Sequence, residues 1–137
     1  MSVSFINKLF KSKSNDDFCT AVVLAAGNSQ RMGKDKILMP LGGAPVIAHT
    51  LKALQSAECI DEIVVVTKYE RLQELADICH DHGISKASKV VVGGKTRLES
   101  SLIGVSNADE RAKYIAIHDG ARPFVTNSLI ERVVHSA

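Results

Sequence analysis

The chain has 137 residues, a length that suits one domain of ordinary size and leaves little room for two. Hydrophobic residues make up 45% and charged residues 23%, the balance of a chain that can close a core, which excludes a disordered tail or a coiled coil. A formal charge of +2, an aromatic content of 4% and no run near the ~20 apolar residues of a spanning helix set aside nucleic acid and membrane as main partners.

Residues 1–18 read as an N-terminal extension, partly ordered at best. The apolar patches of Phe5, Ile6, Leu9 and Phe10 are too short and interrupted for a signal-peptide core, and the stretch from Ser12 to Asp17 is a polar linker. The folded domain is expected over 19–137. The three cysteines, Cys19, Cys59 and Cys79, are odd in number and lack a C-x-x-C pair. They speak against a disulfide framework or a thiolate zinc site and fit a reducing, cytoplasmic compartment.

Four short apolar, β-branched runs follow: Thr20 to Ala25, Glu62 to Thr67, Lys89 to Val92 and Tyr114 to His118. Such runs predict strands of a sheet covered on both faces. Between them the period becomes helical. Ile47, Leu51 and Leu54 form one stripe, with Pro45 suited to a first helical turn. Leu72, Leu75, Ala76 and Cys79 form a second, stopped by Gly83. Leu98, Leu102 and Val105 form a third, and Leu129, Ile130, Val133 and Val134 a fourth, with Thr126 as N-cap. Strict alternation of strand and helix predicts an α/β fold, a mostly parallel sheet with helices on both faces and right-handed crossovers. If strands two and three lie to one side of strand one and strand four to the other, the switch point falls between strands one and four. Ligands bind there, at the carboxyl ends of the strands.

The loops at that end carry the chemistry. The first runs from Ala25 through Ala26, Gly27, Asn28 and Ser29 to Arg31, Gly33, Lys34 and Lys36. Small residues admit a ligand to the backbone, N–H groups form an anion cradle, and three cations in six residues tilt the reading from a tight turn toward a polyphosphate site. The Walker A pattern fails, because five residues part Gly27 from Gly33 and Asp35 follows Lys34. The dinucleotide fingerprint fails because Ser29 stands where its second glycine belongs. The second loop, His118-Asp119-Gly120-Ala121-Arg122-Pro123, places a carboxylate at a strand end. Asp119 suits Mg²⁺ shared with phosphates, or a ribose, against the plainer alternative of an Asx-turn. In the third, Gly93-Gly94-Lys95-Thr96-Arg97-Leu98-Glu99-Ser100-Ser101, paired glycines allow a base or sugar against the backbone, and the serines open a helix. His80 and His82 cannot share a helix face, so they read as exposed residues rather than ligands.

In this order and spacing, the three segments resemble the 2-C-methyl-D-erythritol 4-phosphate cytidylyltransferase family. The matching features are a Gly-rich loop ending in Arg31-Met32 with Lys36, Gly93-Gly94-x-x-Arg97-x-x-Ser100, and His118-Asp119-x-x-Arg122-Pro123. The resemblance implies a Rossmann-like nucleotidyltransferase fold and a substrate pair of CTP and a polyol phosphate, with Mg²⁺ as cofactor and pyrophosphate as leaving group. It implies catalytic roles for Arg31 and Lys36, which would stabilise charge at the reacting phosphate. Whether Lys34 or Lys36 is the catalytic lysine stays open, with Lys36 favoured. Nucleotide contacts are implied for Ala25, Ala26, Gly27, Asn28, Ser29, Gly94, Arg97, Ser100 and Gly120, and metal contact for Asp119. Full-length members are expected to be homodimers. The segment Arg31-Met32-Gly33-Lys34-Asp35-Lys36, followed by Leu41-Gly42-Gly43, also resembles molybdenum-cofactor guanylyltransferases, and a ribitol-phosphate cytidylyltransferase shares the architecture. A nucleotide-binding module without chemistry is the alternative from another class. Family members continue well beyond this length, so the chain is expected to be a truncated domain of weak or no transferase activity.

Overall fold

The computed structural model describes residues 17–27, 30–31 and 34–122, of which 30, 31, 34 and 35 are described as backbone alone. The expected fourth helix and most of the N-terminal extension lie outside the described residues. Strand β1 (Cys19–Ala25) is buried along its whole length. Two small hairpins follow it. Strand β2 (Gln30–Arg31) pairs with β3 (Lys34–Asp35), and after a 3₁₀ turn at Lys36–Leu38, β4 (Pro40–Leu41) pairs with β5 (Ala44–Pro45). Gly42 and Gly43, both at positive φ, make the second turn. The sequence reads this stretch as one loop, because two-residue strands leave no period to detect.

Helix α1 (Val46–Ser56) comes next, with Pro45 as its N-cap rather than inside its first turn. Ile47 and Leu51 are fully buried and Leu54 nearly so, each worth about 1.5–3 kcal/mol of burial. Strand β6 (Glu62–Thr67) is buried throughout. Helix α2 (Leu72–Asp81) ends in a Schellman motif: Ile84 N–H donates to Cys79 O at 2.9 Å and Gly83 N–H to His80 O at 3.2 Å, with Gly83 at φ 67°. Its stripe is shifted from expectation, since Ala76 is exposed and Ile78 buried. Strand β7 (Ala87–Val92), helix α3 (Arg97–Ser106) and strand β8 (Tyr114–Asp119) complete the described chain.

The sheet order is β7-β6-β1-β8 with every pair parallel, so strands two and three do lie to one side of strand one and strand four to the other. Alternation along β1 sorts the core. Cys19, Ala21, Val23 and Ala25 face α1 and α2, while Val22 and Leu24 join Val64 and Val66 beneath α3. Strands β7 and β8 are edges of this four-stranded sheet and are only partly buried, unlike the central pair.

Helix α3 corrects the sequence reading. Its Leu98, Leu102 and Val105 are 69%, 59% and 39% exposed, while Ser100 and Gly104 are buried. The helix rests so close on Val22 and Val66 that small residues occupy the contact, and the apolar stripe turns outward. Among the described residues no helix is long and apolar enough to cross a membrane.

The amino end of the sheet is closed by polar bonds. The buried Glu62 carboxylate accepts from Thr20 Oγ1 at 2.8 Å, from Ser88 Oγ at 2.5 Å and from Asp109 N–H at 2.8 Å, tying three strands to the α3–β8 loop. Asp109 is paired with Arg111 at 2.9 Å, and the Arg111 guanidinium lies 4.6 Å over the Phe18 ring.

Candidate nucleotide site

At the opposite, carboxyl end of the sheet the loops after β1, β7 and β8 meet around a cavity of about 250 Å³. Ala25, Ala26 and Gly27 line it from β1, Lys36 from the 3₁₀ turn, Gly94 to Arg97 and Ser100 from the start of α3, and Asp119 from β8. The register explains the meeting: Leu24 lies opposite Asp119, so the first and second loops leave adjacent strands side by side. This is the switch point, and the cavity sits where doubly wound sheets hold ligands.

Each wall has a local cause. Gly93 N–H donates to Thr67 O at 2.8 Å, and a Cβ on Gly93 would fall 2.6 Å from Ser100 Oγ and 2.8 Å from the Ala26 Cβ. Small residues are thus what let the third loop touch the first. Ser100 is 4% exposed, and its hydroxyl oxygen accepts from Gly94 N–H at 3.1 Å. At the second loop, Gly120 N–H donates to Leu24 O at 2.9 Å, and Thr50 Oγ1 of α1 donates to Gly120 O at 2.9 Å. Asp119 does form the Asx-turn weighed above, with Oδ1 accepting from Ala121 N–H at 2.9 Å. The same residue lines the cavity, so turn and site readings coexist.

The structure brings Ala25, Ala26, Gly27, Lys36, Gly94, Arg97, Ser100 and Asp119 to one cavity. Gly120 is placed beneath it, buried, where a Cβ would meet Ile47 Cδ1 at 2.6 Å. Arg31 is described by its backbone, paired with Lys34 across the β2–β3 hairpin. Asn28 and Ser29 lie outside the described residues. Lys36 lines the cavity, as does Lys95, while the side chain of Lys34 lies outside the described residues.

Sequence reasoning missed Thr50, whose hydroxyl works at a residue 70 positions away and leaves no local signal. It also missed Glu99, although Thr96-x-x-Glu99 spells a capping box.

The perturbed groups lie away from the cavity. Arg111 holds the Asp109 carboxyl down at about 2, chiefly through its side-chain hydrogen bond, and burial raises the Cys79 thiol. Among the described residues no three His, Cys, Asp or Glu side chains gather around an ion. A single carboxylate, Asp119, in the wall of this cavity fits Mg²⁺, which takes few protein ligands and fills its shell with phosphate oxygens and water.

Fold and site together define the class: a Rossmann-like α/β protein of the nucleotidyltransferase fold. The family model described as 2-C-methyl-D-erythritol 4-phosphate cytidylyltransferase matches residues 19–137, and the chain belongs to that family. A cytidylyltransferase of that name from Halalkalibacterium halodurans is 37% identical over 120 residues, covering 86% of this chain and 52% of the relative. Another from Lachnospira eligens is 38% identical over 113 residues, covering 81% of this chain and 49% of the relative. The crystal structure of 4-diphosphocytidyl-2C-methyl-D-erythritol synthase from Anaerococcus prevotii superposes with a TM-score of 0.75 at 25% identity, over 88% of this chain and 51% of that one. The chain spans about half the length of the curated relatives it matches.

Proposed function

We propose that this chain supplies the nucleotide side of a cytidylyltransferase, which moves CMP from CTP to 2-C-methyl-D-erythritol 4-phosphate and releases pyrophosphate. The observation that carries the reading is the convergence of Lys36, Asp119, Gly94 and Ser100 on one cavity at the switch point, in a chain of this family. The base and ribose lie against Gly94 and Ser100, where the loop is closely packed, and the triphosphate lies toward Lys36.

In this reading a phosphate oxygen of the acceptor attacks the α-phosphorus of CTP, a new P–O bond forms, and the bond to the β-phosphate breaks. The acceptor oxygen is already ionised, so the step requires no protein nucleophile and no general base. Lys36, with Arg31 from the hairpin, stabilises the charge that builds on the reacting phosphate. Mg²⁺ held through Asp119 would supply charge neutralisation on the nucleotide phosphates. The Asp119 turn, fixed by Thr50 and Leu24, keeps that carboxylate at the cavity wall.

Calorimetric titration of the chain with CTP, GTP, ATP and UTP, with and without Mg²⁺, tests the reading. CTP-selective, Mg²⁺-dependent binding is expected. A preference for GTP, or no nucleotide binding at all, would overturn it.

A further inference from the structure

We infer that Glu99 is a positioning residue for the base and ribose, acting through the Gly94–Lys95 backbone; the inference rests on the nucleotide reading above. Glu99 does not line the cavity, but the four residues before Leu98 do. Its carboxylate reaches back along the helix start and accepts from Lys95 N–H at 2.7 Å. Its own N–H donates to Thr96 Oγ1 at 3.1 Å, which closes a reciprocal cap. Gly94 N–H is meanwhile held by Ser100 Oγ at 3.1 Å. Both loop amides are therefore bonded into the first turn of α3, and the loop is set before a ligand arrives.

The contact is tight as well as polar. A Cβ on Gly94 would lie 2.5 Å from the Glu99 Cβ and 2.6 Å from Glu99 Oε2, so glycine is what allows the carboxylate under the loop.

The two bonded amides lie just before the helix. Glu99 occupies Lys95 N–H and Ser100 occupies Gly94 N–H, so this stretch of backbone is preset for the uncharged base and ribose. The cations that line the cavity, Lys36, Lys95 and Arg97, are left for the phosphates.

The test is calorimetric titration of the full 137-residue chain and its Glu99 variants with two probes, Mg·CTP and Mg·tripolyphosphate. Glu99→Ala is expected to weaken CTP roughly tenfold, the scale of one lost ordering hydrogen bond. Tripolyphosphate, which lacks base and ribose, is expected to bind as in the parent. Glu99→Gln keeps an acceptor oxygen and is expected to restore CTP affinity. Should Glu99→Ala fail to fold, Glu99→Asp, whose shorter arm withdraws the oxygen from Lys95 N–H, is expected to show the same CTP-specific loss. Unchanged CTP affinity in Glu99→Ala and Glu99→Asp overturns the inference, as does an equal loss of both probes, which marks a purely structural cap. A parent chain that binds tripolyphosphate but no nucleotide removes the nucleotide reading itself, and the inference with it.

Discussion

Gly104 is the point where α3 bears on the sheet, and replacing it with alanine should lower stability although alanine favours helix. A Cβ at this position would stand 2.3 Å from Val22 Cγ1, 3.1 Å from Val66 Cγ2 and 3.3 Å from Val22 Cγ2. Apolar carbons rest at ~3.5–4.0 Å, so the helix must rise by roughly 1.2–1.7 Å or the valines must turn. Both valines are fully buried, and β-branched side chains have little rotamer freedom. Overpacking of this kind costs about 1–3 kcal/mol, and the severity of this contact argues for the upper end. The gain in helix propensity returns about 1 kcal/mol. Gly104→Ala is therefore expected to lose about 2 kcal/mol, a fall of roughly 6–10 °C in Tm. Urea unfolding should show a lower midpoint. Because α3 carries Ser100 into contact with the Gly93 loop, CTP affinity should fall as well. Val22→Ala opens the space, so the double variant should lose less than the sum of the two single changes. A Gly104→Ala protein as stable as the parent would refute the claim that α3 is seated on Val22.

Three further outcomes follow from the same geometry. Thr50→Val removes the donor to Gly120 O and leaves a buried carbonyl unpaired, so urea unfolding should show a loss of about 1–3 kcal/mol, with Thr50→Ser close to the parent. The Asp109 carboxyl, held at about 2 by Arg111, should report that value in a carboxyl NMR titration. Because it lies below the ordinary ~3.9, the ionised pair contributes above pH ~4 and that contribution disappears as pH falls toward 2; Arg111→Ala should return the titration to the ordinary range. Lys36→Met should weaken CTP and tripolyphosphate together, each by roughly tenfold or more for a lost charged hydrogen bond. Parent-like affinity in that variant would remove Lys36 from the phosphate end.

Much of the architecture is legible in the residues. Strands β1 and β6 are continuous apolar, β-branched runs because both of their faces are covered, and their bounds match the sequence reading to within a residue. The strand order, which the sequence left as a condition, is the one that places the Gly27 and Asp119 loops together. The glycines of the third loop are likewise visible, but what they make room for is not. Gly93 admits Ser100 and Ala26, and Gly94 admits Glu99, through approaches that only folded neighbours define.

The sequence by itself determined the period of the main strands and helices, the class of fold and the residue types gathered at the carboxyl ends of the strands. Tertiary structure decided phase and partnership. Leu98, Leu102 and Val105 mark a helix as surely as Ile47, Leu51 and Leu54 do, yet one stripe faces solvent and the other the core. Period is a property of the backbone and can be read locally, whereas the buried face is set by how near the helix must come to its sheet. At α3 that distance is so short that Gly104 and Ser100, rather than the leucines, make the contact. Thr50 obeys the same rule: its partner, the Gly120 carbonyl, is created by the return of a strand 70 residues later.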